Sequence, residues 1–186
     1  MPKDNFPNGV PRSMRYTEDL VGGLKDLIRW IDGKPDWVLV EIGSWVGEST
    51  MIFAESFGRV VSIDPFDGFD LTAKYFRQNC AKYNIEQIRL PSVEASRQFV
   101  PQSIDVVYID ANHHYEYVKN DILHWLPIVK DGGVICGHDY NLMHKNWPKL
   151  GIQKAVRELL GEPHAVFKDD SWAVRINPQK APIPML

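Results

Sequence analysis

Short apolar runs alternate with amphipathic segments along most of the chain. Runs of β-branched and aliphatic residues at 37–42, 60–63 and 104–109 have the length of strands. A strand that is apolar throughout is typical of a parallel sheet covered on both faces. The segments between these runs have a helical period, and in the first of them Leu24 and Leu27 share one side. The alternation therefore predicts an α/β domain.

Turn residues between the periodic segments set the predicted boundaries. Gly33 is predicted to end the first helix, which begins after Thr17. Strands alternate with helices and only the last pair looks antiparallel, which predicts a doubly wound, Rossmann-like, mostly parallel sheet in a three-layer α/β/α arrangement. The further predicted strands are 88–90 and 134–136 with a terminal hairpin of 165–167 and 172–176, and the further helices are 48–57, 71–83, 92–99, 114–126 and 151–160.

The 186 residues are expected to form one domain after a short arm. Pro2, Pro7 and Pro11 block regular structure at the start, so residues 1–16 are predicted to be extended and residues 17–186 to form the domain. The start lacks the apolar core of a signal peptide, and no apolar stretch has the length of a membrane span. We therefore expect a cytoplasmic protein without membrane contact.

Composition narrows the classes of partner. The chain is 44% hydrophobic and 24% charged, as in ordinary soluble domains. A formal charge of −3, without clustered Lys and Arg, gives no electrostatic reason to expect nucleic acid. Cys80 and Cys136 are expected to be free thiols, because one ends a polar helix and the other lies inside an apolar strand.

The stretch VLVEIGSWVGEST at 38–50 predicts a strand, a glycine turn and a helix. Gly43 and Gly47 can take backbone angles that other residues avoid and let a ligand approach the chain. Ser49 and Thr50, after Glu48, suit the first turn of a helix. Such a unit usually binds a nucleotide.

Polar side chains follow four of the predicted strands. Glu41, Asp64 and Asp110 stand at the ends of three, and His138 with Asp139 follows a fourth. Each acid alone is commonly a turn former or a helix cap, but in a doubly wound sheet these strand ends share the edge where ligands collect. Asp64 lies at the distance beyond the glycine turn that suits an acceptor for a ribose diol.

The charge of the glycine turn bears on which nucleotide binds. A dinucleotide site uses G-x-G-x-x-G, whose closely spaced glycines place pyrophosphate on a helix N-terminus, and here the middle glycine is missing. Glu41 and Glu48 would repel a diphosphate but attract a ligand that carries an ammonium and a sulfonium. The pattern therefore favours S-adenosylmethionine over NAD.

Together these residues resemble class I S-adenosylmethionine-dependent methyltransferases. The closest branch is the small O-methyltransferases that act on sugars and macrolides, and more distantly the catechol type. The resemblance covers about residues 38–176 and implies a seven-stranded sheet with an antiparallel last strand. It rests on Glu41-x-Gly43-x-x-x-Gly47-x-Ser49-Thr50, on Asp64, on the segment YIDANHHYE at 108–116 and on GGVICGHDY at 132–140.

The resemblance assigns roles by position. Gly43, Ser44 and Gly47 would pass under the methionine portion of the cofactor, Asp64 would hold the ribose and the segment at Ser92 would lie near the adenine. The full predicted cofactor-binding set is Glu41, Gly43, Ser44, Trp45, Gly47, Ser49, Asp64, Ser92 and Asp110. Trp45 either covers the cofactor or belongs to the core.

In metal-dependent relatives, the positions of Asp110, His138 and Asp139 hold a divalent cation. His138 departs from their pattern, because a neutral imidazole is a poor ligand for Mg²⁺. Either a softer ion such as Mn²⁺ or Zn²⁺ binds, or no metal binds and the residues act by proton transfer. His113 is the predicted base, at the position where catechol-type relatives hold theirs, with Asp110 and Asp139 orienting it.

The predicted acceptor is a hydroxyl group of a small molecule, with a sugar or polyol favoured, because a short chain has few residues to enclose a large substrate. The alternatives are N-methylation, an NAD-dependent oxidoreductase and an inactive accessory protein of the same fold. A homodimer is compatible with the sequence.

Overall fold

The computed structural model describes residues 18–141 and 151–177. The predicted arm, residues 1–16, lies outside these residues. The helices are α1 (Glu18–Ile31), α2 (Glu48–Ala54), α3 (Asp70–Cys80), α4 (Ser92–Ser96), α5 (Tyr115–Trp125) and α6 (Ile152–Leu160). The strands are β1 (Val38–Ile42), β2 (Arg59–Ile63), β3 (Ile85–Ile88), β4 (Ile104–Ile109), β5 (Val129–Gly137), β6 (Ala165–Val166) and β7 (Trp172–Arg175).

The seven strands form one sheet in the order β3-β2-β1-β4-β5-β7-β6. The neighbouring pairs among β1 to β5 are parallel, and β7 is antiparallel to both β5 and β6. Strand order reverses at β1, where β2 lies on one side and β4 on the other. The doubly wound sheet and its antiparallel last strand are confirmed.

The sheet has a separate apolar core on each face. Alternate residues of a strand point to opposite faces. On one face Val40 and Val107 pack in a cluster with Ile122 and Trp125 of α5 and with residues of α6. On the other, neighbouring strand residues such as Leu39 pack with residues of α1 and α2. This arrangement confirms the three layers.

Some predicted boundaries differ from the structure. β3 spans Ile85–Ile88 rather than 88–90, because its pairing with β2 overrides the more apolar stretch that follows. The first helix ends before Asp32, which takes a left-handed conformation with φ of 52°, a conformation that Asp tolerates better than most residues.

β5 begins at Val129 rather than at residue 134, so Gly132 and Gly133 lie inside the strand, whose register against β4 shifts. Both cysteines are buried free thiols, as predicted. Within residues 18–141 and 151–177, no helix has the length and apolar character needed to cross a bilayer.

Candidate active site

The turn between β1 and α2 requires glycine at two positions. Gly43 and Gly47 both have φ of 86°, in the left-handed region. A Cβ atom on Gly43 would lie 2.3 Å from the carbonyl oxygen of Asp110, and one on Gly47 would lie 2.5 Å from Sγ of Cys80. The two glycines let this turn pack against the end of β4 and against α3. Trp45, with φ of 48°, lies between them and is about half exposed.

Glu41 joins β1 to the first turn of α2. Its buried carboxylate accepts hydrogen bonds from the hydroxyl groups of Ser49 and Thr50. Burial raises the pKa of Glu41 to about 7, an effect that these hydrogen bonds and Ser44 oppose and that the charge of Asp110 reinforces. Glu41 therefore anchors the helix that follows the glycine turn.

Asp64 joins the end of β2 to the same turn. Its Oδ2 atom accepts hydrogen bonds from the backbone N–H groups of Ser44 at 3.1 Å and Trp45 at 3.0 Å. Its Oδ1 atom accepts one from the N–H of Phe66 at 2.9 Å. The carboxylate is thus fixed in place, and a charged acceptor retains capacity for further donors.

A cavity of about 640 Å³ lies at the carboxyl ends of β1, β2 and β4. It is the size of a small-molecule site and lies at the switch point of the sheet. Of the predicted residues, Gly43, Trp45, Asp64, Ser92, Asp110 and His113 line it. Glu41, Ser44, Gly47 and Ser49 are not among its lining residues.

The charge of the cavity suits the predicted cofactor. Four aspartates, and neither Lys nor Arg, occur among the described residues that line it, and these are Asp64, Asp67, Asp110 and Asp121. Such a lining favours a cationic ligand and disfavours a diphosphate. The chemistry of these residues therefore fits S-adenosylmethionine.

His113 lies between two carboxylates at the edge of the cavity. Its Nε2 atom is 3.3 Å from Oδ1 of Asp110 and 3.2 Å from Oδ2 of Asp139. Asp139 has φ of 57°, an unusual conformation for a residue with a side chain, which turns the chain just after β5. The predicted base and its two orienting acids are thus brought together.

The predicted metal ligands are only partly brought together. Side-chain ligand atoms of Asp110, His113 and Asp139 lie within 4.8 Å of one another, whereas His138 is not in this group. Nδ1 of His138 is 3.3 Å from Oδ1 of Asp139, and Nε2 is 3.8 Å from Oδ2 of Asp169. The ring is buried behind the aspartate, so His113 is the histidine that a cation at the cavity edge would meet.

Carboxylates dominate the surroundings of His138. Burial favours its neutral form, but Asp139, Asp110 and Asp169 outweigh burial and raise the pKa of His138. A positive charge on this ring would partly balance the negative charge of these three acids.

Sequence reasoning missed several residues that line the cavity, among them Phe66, Tyr117 and Asp121. Phe66 lies two residues after Asp64, the predicted ribose acceptor. That nearness in the sequence could have placed Phe66 in the cavity. Tyr117 and Asp121 lie one helical turn apart on α5, and that i, i+4 spacing could have placed both on the side facing the strand ends.

Comparison with known proteins identifies the family. A family model described as Methyltransferase domain matches residues 40–140, more than half of the chain. The chain belongs to this methyltransferase family, and its sheet is that of the class I S-adenosylmethionine-dependent methyltransferases, which confirms the class predicted from the sequence.

One curated relative is the uncharacterized protein R132 of Acanthamoeba polyphaga mimivirus. It is 27% identical over 117 residues, which cover 58% of this chain and 53% of the relative. The chain thus spans about half the length of the curated relative it matches.

Solved structures share the fold. A protein from Corynebacterium glutamicum has a TM-score of 0.63 at 13% identity, covering 91% of this chain and 84% of that one. Phosphoethanolamine N-methyltransferase 1 of Haemonchus contortus, in complex with phosphoethanolamine and S-adenosylhomocysteine, has a TM-score of 0.61 at 13% identity, covering 90% and 45%. An S-adenosylmethionine-dependent O-methyltransferase from Thermotoga maritima has a TM-score of 0.55 at 17% identity, covering 73% and 48%. At these identities the likeness concerns the fold.

Proposed function

We propose that this protein transfers a methyl group from S-adenosylmethionine to a hydroxyl group of a small molecule, with a sugar or polyol as the favoured class. The observation that carries the proposal is the placement of His113 between Asp110 and Asp139, at the edge of the acidic cavity that Gly43 also lines.

We expect each part of the cofactor to meet a different part of the cavity. Bound S-adenosylmethionine supplies a methyl group on a positively charged sulfur. Asp64 accepts from the ribose hydroxyl groups, and Gly43 and Trp45 form the wall beside the methionine portion. Asp110 lies next to Gly43 and contributes negative charge where the sulfonium is expected. These residues would hold the donor in the cavity that His113 also lines.

The contacts of His113 support one assignment of the nitrogen that acts as the base. Two carboxylates within 3.3 Å of Nε2 favour a proton on that atom, because each carboxylate is an acceptor only. The lone pair of the neutral ring then resides on Nδ1. We assign Nδ1 as the atom that takes the proton of the acceptor hydroxyl, while Asp110 and Asp139 stabilise the resulting imidazolium.

A base at this place favours oxygen over nitrogen as the acceptor. An alcohol attacks a methyl group poorly until its proton is removed, whereas a neutral amine is a good nucleophile without losing a proton. Asn112, His114 and Asp67 also line the cavity and offer hydrogen-bonding groups to a hydroxylated molecule. N-methylation remains the alternative that the acceptor screen must test.

The close grouping of Asp110, His113 and Asp139 supports a second route for activating the acceptor. One nitrogen and two carboxylate ligands suit Mn²⁺ or Zn²⁺ better than Mg²⁺. In that case the three residues would hold the cation, which would lower the pKa of a bound hydroxyl group.

The test begins with binding and then screens acceptors. Calorimetry should detect S-adenosylhomocysteine and no binding of NAD; binding of NAD alone would end the proposal. Mass spectrometry of a panel of hydroxylated and amino compounds, incubated with isotopically labelled S-adenosylmethionine, then identifies the acceptor. Labelled product only from amines would replace O-methylation by N-methylation, and binding without any product would support an accessory protein.

Once an acceptor is known, a variant of His113 and a control variant of another histidine test the role of His113 as the base. His113→Gln should lower kcat by about 10²- to 10⁴-fold, the usual contribution of a general base. His164→Gln is the matched control, because His164 is exposed and its Nδ1 accepts a hydrogen bond from the backbone of Arg175 in the terminal hairpin. Turnover that survives thorough chelation with EDTA would exclude the metal route, and turnover unchanged in His113→Gln would exclude the base.

A further inference from the structure

The turn that joins β6 to β7, residues 168–171, is a segment that the proposed chemistry does not use, and none of its residues lines the cavity. We call it the hairpin turn. It is closed by two backbone hydrogen bonds, from Asp170 to Phe167 at 3.0 Å and from Phe167 to Ser171 at 2.8 Å. The N–H and the hydroxyl of Ser171 both donate to the carboxylate of Asp169. These bonds give the hairpin turn a defined shape.

The hairpin turn contacts the segment that follows β5. Ladder pairing between β5 and β7 ends with the last residue of β5. Beyond that point the two chains are joined through Asp170, whose backbone carbonyl accepts a hydrogen bond from the N–H of Tyr140 at 3.0 Å. Oδ1 of the Asp170 carboxylate accepts another from Nδ2 of Asn141 at 2.8 Å. Asp170 therefore holds both of the residues that directly follow Asp139.

Two residues at this junction have a left-handed backbone conformation, with φ of 57° at Asp139 and 65° at Asp170. Residues with a side chain rarely adopt this conformation, and they keep it where the surrounding structure determines it. At Asp139 the next two residues are bonded to Asp170, which opposes a straight continuation of β5. With the chain turned in this way, Oδ2 of Asp139 lies 3.2 Å from Nε2 of His113.

The side chain of Asp139 also faces the hairpin turn, through His138. Nδ1 of His138 lies 3.3 Å from Oδ1 of Asp139, and Nε2 lies 3.8 Å from Oδ2 of Asp169. Asp169 packs closely on α1, because a Cβ atom on Gly23 would lie 2.0 Å from its Cγ atom. The ring of His138 thus stands between Asp139 and a carboxylate that is fixed against α1. The hairpin turn therefore supports Asp139 at its backbone and at its side chain.

We infer that Asp170 is a positioning residue of the proposed active site, which holds Asp139 in the left-handed conformation that brings its carboxylate to His113. This inference rests on the proposed function, in which Asp139 orients the base. It applies equally to the route through a cation, because Asp139 takes part in both routes. Asp170 itself acts through residues 140 and 141 and touches neither substrate nor cofactor.

The first test is structural and needs no acceptor. Asp170→Ala removes the acceptor of Asn141 and introduces a residue that adopts the left-handed conformation less readily. In a crystal structure of this variant, Nε2 of His113 and Oδ2 of Asp139 should be more than about 3.5 Å apart, beyond hydrogen-bond distance. Asp170→Asn should keep the wild-type distance, because Asn tolerates this conformation and its amide oxygen still accepts. An unchanged distance in Asp170→Ala would overturn the inference.

The second test measures turnover with the acceptor that the screen identifies. Asp170→Ala should lower kcat by about tenfold or more, since a displacement of about 1 Å can cost about 10²-fold in rate. KM for S-adenosylmethionine should keep its wild-type value, because Asp170 does not line the cavity. Asp170→Asn should restore kcat. A wild-type kcat in Asp170→Ala would count against the inference.

Asp32→Ala is the matched control. It makes the same substitution at an exposed aspartate that also has a left-handed conformation, with φ of 52°, after the end of α1. Loss of a residue that tolerates this conformation should lower the stability of both variants, whereas kcat should fall only in Asp170→Ala. Equal losses of kcat in the two variants would show a general effect of backbone strain and would remove the role of Asp170.

Binding of S-adenosylhomocysteine to the wild-type protein separates this inference from the proposed function. A wild-type protein that does not bind it would remove the proposed function and the inference with it. Binding by the wild type, together with an unchanged distance between His113 and Asp139 in Asp170→Ala, would leave the proposed function standing and remove the role of Asp170.

Discussion

The buried carboxylate of Glu41 should make the stability of this protein depend on pH. Its pKa rises from 4.5 to about 7 on folding, so the folded protein retains a proton that the unfolded chain releases in this range. The folded state binds more protons, and the free energy of unfolding therefore falls as the pH rises from about 4.5 to about 7. The shift corresponds to about 3 kcal/mol, at 1.36 kcal/mol for each pKa unit.

Glu41→Gln should remove this loss of stability at higher pH while preserving the hydrogen bonds to Ser49 and Thr50. The amide oxygen can accept from one of the hydroxyl groups of Ser49 and Thr50, and the NH₂ can donate to the other. Relative to the wild type, the variant should therefore gain about 3 kcal/mol of stability between pH 4.5 and pH 8.

Urea unfolding, followed by the fluorescence of the six tryptophans at a series of pH values, measures this difference. Other titrating groups are common to both proteins and cancel in the comparison. Thr50→Val provides a second check, because losing one donor should move the pH dependence of the wild-type protein to higher pH. A difference between wild type and Glu41→Gln that stays constant over the whole range would refute the reasoning.

Two further predictions concern the walls of the cavity. Gly43→Ala should abolish binding of S-adenosylhomocysteine and lower the melting temperature more than Gly68→Ala, since both glycines have positive φ but only at Gly43 would the added Cβ meet backbone atoms within 4 Å. Equal losses of stability by calorimetry would show that the close approach to Asp110 is unimportant. Asp64→Asn should weaken binding of S-adenosylhomocysteine by about tenfold or more, the worth of a hydrogen bond to a charged acceptor, and unchanged affinity by titration would exclude Asp64 from the ribose site.

The strands that carry the site could be predicted because their sequences strongly favour a buried strand. The runs that became β1 and β4 are apolar throughout and end at a glycine or an acid, so their ends were predicted within a residue or two. β3 was misplaced because Ile85-Glu86-Gln87-Ile88 is an edge strand with two polar residues in its middle, one of them exposed, and only its register with β2 distinguishes it from the next residues.

The direction of each side chain was harder to predict than its place at a strand end. Glu41 shares the face of Leu39, which packs in the cluster with α1 and α2, and its carboxylate accordingly meets α2. His138 lies two residues after Cys136 and is directed to the same face of the sheet, so it too lies away from the cavity edge. The alternation of side chains along a strand indicates which face of the sheet each one is on. The prediction did not use it, and assigned every acid at a strand end to the same ligand-binding edge.

The two proposed routes for activating the acceptor require different states of the His113 ring nitrogens. The base requires Nε2 of His113 to carry a proton between Asp110 and Asp139, whereas a cation held by the same three residues requires a lone pair on that nitrogen or on Nδ1. If Nε2 binds the cation, the carboxylates lose their shared donor and become ligands themselves. If Nδ1 binds it, no lone pair is left to accept the proton of the substrate. The ring therefore serves one route at a time, and an ion that activates the protein through His113 necessarily removes His113 as its base.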